Sequence, residues 1–436
     1  MSYKLTLKRL PNFLRYVNKV YRFSQTINSM QSKGDPETSS QTIFMSVFLC
    51  MLLRLGSLRQ LAADSKAGRI RKFVPRIDKE TYCANTVANG LENIDTDILQ
   101  QELAVVPKKL RRNKAYGSAE HPGTIGGLRI VAIDGTEHFR SECVHCPECM
   151  AVHVTTKEGV KVHYVHRMVI MYVVGRLHSS AVQVILGGEP ALPKDALEEG
   201  GESPEHEGES TAAKRLIVKM ITLYGNRFFD ILTTDAYYSN KPFVLFLDSL
   251  GKYLVSRVKR EDTTLYQEID VLSQMVEPIH IDDREERVES WVYEIPELQA
   301  SLDWDVPTRG FRILEKTYKI ASGEKVYIKE ETFLCMTTVP VELADANTVR
   351  QIVHAKWGVE NKDNWYMEHN FHHHPNATYA LLLILFMAHN LFYAYVFRHM
   401  KSYRLYHPTM KRIAEDFLAS FLHWKWRMSW LHFDGT

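Results

Sequence analysis

The sequence predicts an α/β fold built on a mixed sheet flanked by helices, and three observations carry that prediction. Hydrophobic spacing switches from helical to strand-like near residue 128 and returns to helical near residue 344. Two strand-like segments, "RIVAID" (129–134) and "DILTTD" (230–235), are apolar in the middle and each runs into an aspartate. Between residues 262 and 340 polar and apolar residues alternate, as they do along half-exposed antiparallel strands. Apolar and charged contents of 45% and 24% in 436 residues suit a globular chain with room for more than one domain.

Taken in order, residues 1–115 predict helices with basic residues between apolar ones, closing on the basic segment "VPKKLRRNKAYGS". The net charge of +2 conceals an uneven distribution. Residues 1–120 hold 20 Lys and Arg against 10 Asp and Glu, whereas residues 189–209 hold eight acids against Lys194 alone. Residues 398–428 are basic again, with seven bases and two acids. Basic ends suit a polyanion, with a solvated basic face as the alternative. Lys108, Lys109, Arg111 and Arg112 are the phosphate-contact candidates in the first region.

Strands are expected at 129–134, 162–174 and 181–188, in the rhythm of an antiparallel meander. The acidic stretch 188–209 has loop composition, and 210–225 is an amphipathic helix. A strand then runs into Asp235, followed by a helix from Lys241 to Leu250 and a strand at 252–259. After the alternating segment, a helix carries Glu360 within "HAKWGVENKDNW". The run 380–397 has the length of a membrane span but includes His389 and Asn390, so a buried core helix is expected, and no membrane role. The N-terminal residues lack a secretory apolar core and the six cysteines are scattered, which together suggest a reducing, cytoplasmic setting.

Meander, helix, strand, helix, strand and then an acid-bearing helix is the order of a ribonuclease-H-like core. In that order the two strand-end aspartates lie side by side, and the late helix can bring a glutamate opposite them. Such a set suits in-line phosphodiester cleavage, where two Mg²⁺ ions clamp the phosphate and lower the pKa of the attacking water. Magnesium takes hard oxygen ligands and keeps several waters, so three carboxylates suffice to hold a pair.

At "AIDGTEHFRSECVHCPEC", "LTTDAYYSNKPF" and "HAKWGVENKDNWYMEHNFHHHPNATYALLLILFMAHNLF" the sequence resembles the DDE transposases of bacterial insertion sequences. Within them it is similar to the insertion sequence four type, which carries a β-rich insertion before the catalytic glutamate. The resemblance spans roughly residues 45 to 400. It implies Asp134, Asp235 and Glu360 as a triad holding Mg²⁺ or Mn²⁺, as two ions. It also implies DNA as partner, both terminal inverted repeats and target, and a homodimer on DNA in a nucleoid-associated bacterial setting. Tyr238, Lys241, Lys356, Asn361 and Lys362 become DNA-contact candidates. Many relatives surround the glutamate with tyrosine, arginine and lysine, where this chain has Val353, Lys356 and Met367. The implied organisation is a helical, basic DNA-end-binding region at 1–115 and a catalytic core at 125–260 and 341–400. A β-rich insertion at 261–340 and a basic helical tail at 401–436 complete it. A nuclease on the same core without strand transfer, or a decayed copy that only binds DNA, are the alternatives.

Cys143, Cys146 and Cys149 form C-x2-C-x2-C, with His145, His153, His163 and His166 nearby. Three thiolates and one imidazole would complete a tetrahedral Zn²⁺ site, with plain reduced thiols as the alternative.

Overall fold

The computed structural model describes residues 9–31, 38–55, 57, 59–60, 62–63, 84–113, 123–146, 149–157, 159–177, 180–192, 208–298, 305–360, 375–400 and 410–422. Helices α1 (Arg9–Tyr21), α2 (Phe23–Ser29), α3 (Ser40–Leu52), α4 (Ala84–Asn93) and α5 (Thr96–Arg112) come first. Strands β1 (Thr124–Ile125), β2 (Leu128–Ser141), β3 (Met150–Thr156), β4 (Gly159–Leu177) and β5 (Ser180–Pro190) follow. Next come α6 (Glu209–Tyr224), β6 (Ile231–Thr234), α7 (Lys241–Ser249), β7 (Tyr253–Val258) and α8 (Thr264–Leu272). Strands β8 (Ile279–Asp283), β9 (Val288–Ile295), β10 (Arg309–Ala321) and β11 (Glu324–Thr337) precede α9 (Ala346–Glu360), α10 (Pro375–His399) and α11 (Met410–Leu422).

The eleven strands among the described residues join one sheet, whose centre runs β5-β4-β2-β6-β7. Strands β2, β6 and β7 are parallel, while β4 is antiparallel to both β2 and β5. This is the ribonuclease-H-like arrangement the element order predicts. The alternating segment does form strands, and β11 pairs antiparallel with β7 through Leu334↔Val258 to Thr337↔Val255. It therefore extends the central sheet instead of standing as a separate unit. The segment is not strands alone: α8 forms at its start, with its N-cap Thr263 accepting from the Tyr266 N–H.

Strand β2 departs from expectation. Asp134-Gly135 looks like a stop, but the strand continues to Ser141, paired with β4 past an irregularity between Glu137 and Phe139. Gly135 serves a different purpose, taken up below.

Helix α10 is the pillar of the helical layer. It packs against α1, α3, α4, α5 and β5, and a single apolar cluster runs from Leu10 to Phe417. Residues Ala380 to Phe397 are all buried, so the one helix among the described residues long and apolar enough to cross a membrane is enclosed by the fold. Asn390, fully buried in α10, donates to the Ile185 carbonyl at 2.7 Å and accepts from the Ile185 N–H at 2.9 Å. An irregularity in the β4–β5 pairing falls at this point, where Tyr172 pairs with Ile185. The amide thus satisfies two backbone groups that would otherwise be stranded in an apolar layer. Asn376, at the start of α10, likewise donates to the Leu91, Glu92 and Ile94 carbonyls at the end of α4.

Candidate active site

The two strand-end aspartates fall at the same level of the sheet. Parallel pairing runs Ile130↔Ile231, Val131↔Leu232 and Ala132↔Thr233. Continued by two residues, that register sets Asp134 beside Asp235, on strands about 4.8 Å apart. Asp235 is further fixed by local structure. Its carboxylate caps a short 3-10 turn (Ala236–Tyr238) by accepting the Tyr237 N–H at 3.0 Å. Its carbonyl accepts from the Ser256 hydroxyl at 2.6 Å, and Ser256 in turn accepts from Thr234 at 2.9 Å.

A third acid joins them that sequence reading assigned only to the acidic loop. Glu209 is the first residue of α6, where the helix dipole favours negative charge. A Cβ built on Gly135 would lie 2.2–2.4 Å from the Glu209 carboxyl atoms. Glycine after Asp134 therefore makes room for a second carboxylate rather than a turn. The Glu209 Oε1 accepts from the Tyr238 hydroxyl at 2.6 Å. Burial pushes the Glu209 carboxyl above its ordinary value, with Asp235 adding to the rise against the pull of Tyr238, Arg167 and Lys356. Burial, followed by the charge of Glu209, drives the Tyr238 phenol upward, so it remains a donor.

Helix α9 supplies the counter-charge. Asp345 caps it by accepting the Thr348 N–H at 2.8 Å, and Val349, Ile352, Val353 and Ala355 bury its inner face. Lys356 lies on that face, 2% exposed, with its Nζ 3.7 Å from an Asp134 carboxylate oxygen. Glu360 closes the same helix, four residues and about 6 Å of rise further on. The Glu360 side chain lies outside the described residues.

A network on the far side of α9 sets the helix's position. Arg350, 3% exposed, reaches Glu315 of β10 at 3.1 Å and Asp283 of β8 at 3.0 Å. His354 and Ser290 also meet Glu315, each at 2.9 Å. Despite desolvation, the His354 hydrogen bond and the Arg350 charge hold the Glu315 carboxyl below its ordinary value. The β-rich segment thus grips the helix that carries Lys356 and Glu360.

The DNA-contact candidates divide. Lys108, Arg111 and Arg112 are exposed and Lys109 half-exposed on the last turns of α5, and Lys241 is exposed at the start of α7. Tyr238 corrects the expectation: it is fully buried, held inward by Glu209 and by Phe243 at 4.8 Å between ring centroids. Lys356 is likewise spoken for by Asp134 rather than set at the surface. Asn361 and Lys362 lie outside the described residues. Among the cysteines, Cys146 and Cys149 come together with His166, while Cys143 is exposed and outside the group. His145 instead stacks on Tyr164 at 4.4 Å, and His163 lies 3.9 Å from Glu142.

The set of Asp134, Asp235 and Glu209 concentrates hard oxygen donors around Lys356, with Arg167 shared with Glu137. Among the described residues the carboxylate oxygens of these three acids do not all close to within 4.8 Å of one another, so they line the site without forming a ready-made cation cage. Residues 201–391 match the family model described as the transposase DDE domain. The match contains Glu209, Asp235, Lys356 and Glu360, and does not reach back to Asp134 or to Cys143, Cys146 and Cys149. No match is found among curated proteins.

Proposed function

Because this chain carries a transposase DDE domain, we propose that it cuts DNA at the ends of its own mobile element and joins the freed 3′-hydroxyl to target DNA. The parallel register that aligns Asp134 with Asp235 is the observation that carries this reading. With Glu360, the last residue of α9, as the third acid, the set would hold a pair of Mg²⁺ ions. Bound there, Mg²⁺ would stabilise the attacking and leaving oxygens of an in-line displacement.

The chain's own residues prepare that position. Asp134 and Asp235 have short stems on paired strands, so their carboxylates are fixed by the sheet. Lys356 offsets part of their repulsion while no substrate is present. Glu209 anchors Tyr238 and thereby the turn that Asp235 caps. The exposed cations of α5, with Lys241, are available to DNA phosphates, which makes binding salt-dependent. Two ends must be paired for transposition, so we assign a homodimer on DNA, of the insertion sequence four type and in the bacterial cytoplasm.

The test is incubation of the purified chain with Mg²⁺ and DNA carrying the inverted repeats that flank its gene, with and without a target plasmid. The expected result is a strand cut at the repeat boundary and, with pre-cut ends, joined product. Cutting without joining would reduce the activity to that of a nuclease. Binding without cutting would overturn the catalytic reading.

A further inference from the structure

Cys146 and Cys149 come from the β2–β3 loop, and His166 from the middle of β4. Their Sγ atoms are 3.6 Å apart, and the His166 Nε2 is 3.3 Å from one and 3.2 Å from the other. All three ligand atoms lie within 4.8 Å of one another. A tetrahedral Zn²⁺ with bonds of about 2.3 Å to sulfur and 2.0–2.1 Å to nitrogen sets its ligand atoms roughly 3.6–3.8 Å apart. The observed triangle is within a few tenths of an ångström of that. We propose that Cys146, Cys149 and His166 bind a structural Zn²⁺ that staples the β2–β3 loop to β4.

Three further features fit. The Cys146 N–H points to the Cys149 Sγ at 3.3 Å and the Cys149 N–H to the Cys146 carbonyl at 3.0 Å. A backbone donor on a sulfur is the outer support that a metal-bound thiolate takes. The loop residues Glu142 to His145 are exposed, so little apolar burial is available to order them, and a metal link replaces that missing core. A cavity of about 180 Å³ lined in part by His138, His166 and Arg167 gives solvent a route to the imidazole.

The donor set selects zinc. Two thiolates and an imidazole are soft-to-borderline ligands, unlike the carboxylates of the other site. On binding, each cysteine sulfur forms a bond to the metal and gives its proton to solvent, and no electron is transferred. The fourth position falls to water or to Cys143, three residues upstream.

The staple's place in the fold gives it a consequence. His166 is the register partner of Phe139, five residues beyond Asp134 on β2. The next residue, Arg167, lies 3.5 Å from Glu137 and acts on the charge of Glu209. Zinc would therefore hold the outer half of the strand pair whose inner half carries the first aspartate.

The test is metal analysis of full-length protein purified without chelator, together with Co²⁺ substitution. One zinc per chain is expected, and the cobalt form should show thiolate-to-metal charge-transfer absorption. The Cys146→Ser/Cys149→Ser variant should retain less than about a tenth of that zinc. Cys335→Ser, altered at a buried thiol elsewhere, should keep it. Zinc unchanged in Cys143→Ser would give the fourth position to water, and zinc lost there would give it to the third thiolate; both support the site. Wild-type protein that takes up neither zinc nor cobalt overturns the proposal, whatever the variants' folding. So does a Cys146–Cys149 disulfide in metal-free protein, or zinc retained by the double variant.

Discussion

Asp134→Asn and Asp235→Asn proteins are each expected to lose cleavage of element-end DNA by about a thousand-fold or more while remaining folded. The amide keeps the shape of the carboxylate and removes the charge that would hold the metal. Both aspartates are half-exposed, so neither amide is forced into a dry interior. Asp235→Asn relieves repulsion within the Asp134, Asp235 and Glu209 set, so its thermal stability without metal should hold, whereas Asp134→Asn takes a counter-charge from the buried Lys356 and should melt somewhat lower. DNA binding should persist, because the phosphate-contact cations lie elsewhere. Cleavage rates with Mg²⁺, beside the melting temperature and a DNA-shift assay, distinguish this from simple unfolding. Retained cleavage by either variant would remove that residue from the catalytic set.

Glu315→Gln is expected to destabilise the fold by about 3–5 kcal/mol, because it leaves the Arg350 guanidinium buried with half its counter-charge. Glu315 serves Arg350, His354 and Ser290 together, so the loss reaches across β9, β10 and α9. Denaturant unfolding at neutral pH measures it. Arg350→Met added to Glu315→Gln should recover part of the loss, since a lone buried charge costs more than a missing pair. The pH dependence follows from the lowered carboxyl pKa. The unfolded chain takes up this proton first, so the contribution is complete above the ordinary glutamate range. It fades as pH falls through the lower folded-state value. Wild-type stability should drop over that acid range, and the Glu315→Gln variant should drop less. A variant as stable as wild type would show that the network does not hold α9.

The core arrangement was legible because two short apolar runs ended on aspartates and the elements between them had the right order. Periodicity does not report distance between elements, which is where the reading fell short. Glu209 ends an acidic stretch of loop composition and becomes a site residue only when α6 docks over β4 and β5. Its signal was Gly135, which resembles turn punctuation until the carboxylate occupying its Cβ position is seen. Lys356 was placed at DNA because it stands four residues before Glu360, where relatives carry arginine, and Tyr238 because it closely follows Asp235. Their burial depends on an acid already being inside to receive each of them. Likewise, four histidines surround the cysteines in sequence, and only the strand register past Glu137 selects His166. The basic α5 end was readable from charge alone, since exposure is the default for such residues.

The measurement that tests the central claim most directly is anomalous scattering from crystals of the protein on its end DNA, soaked with Mn²⁺. The expected result is one or two manganese peaks bonded to Asp134, Asp235 and Glu360, beside the middle of β2 and the carboxyl end of β6. Manganese bound without contact to both aspartates, or Glu360 directed away from a loaded site, would contradict it.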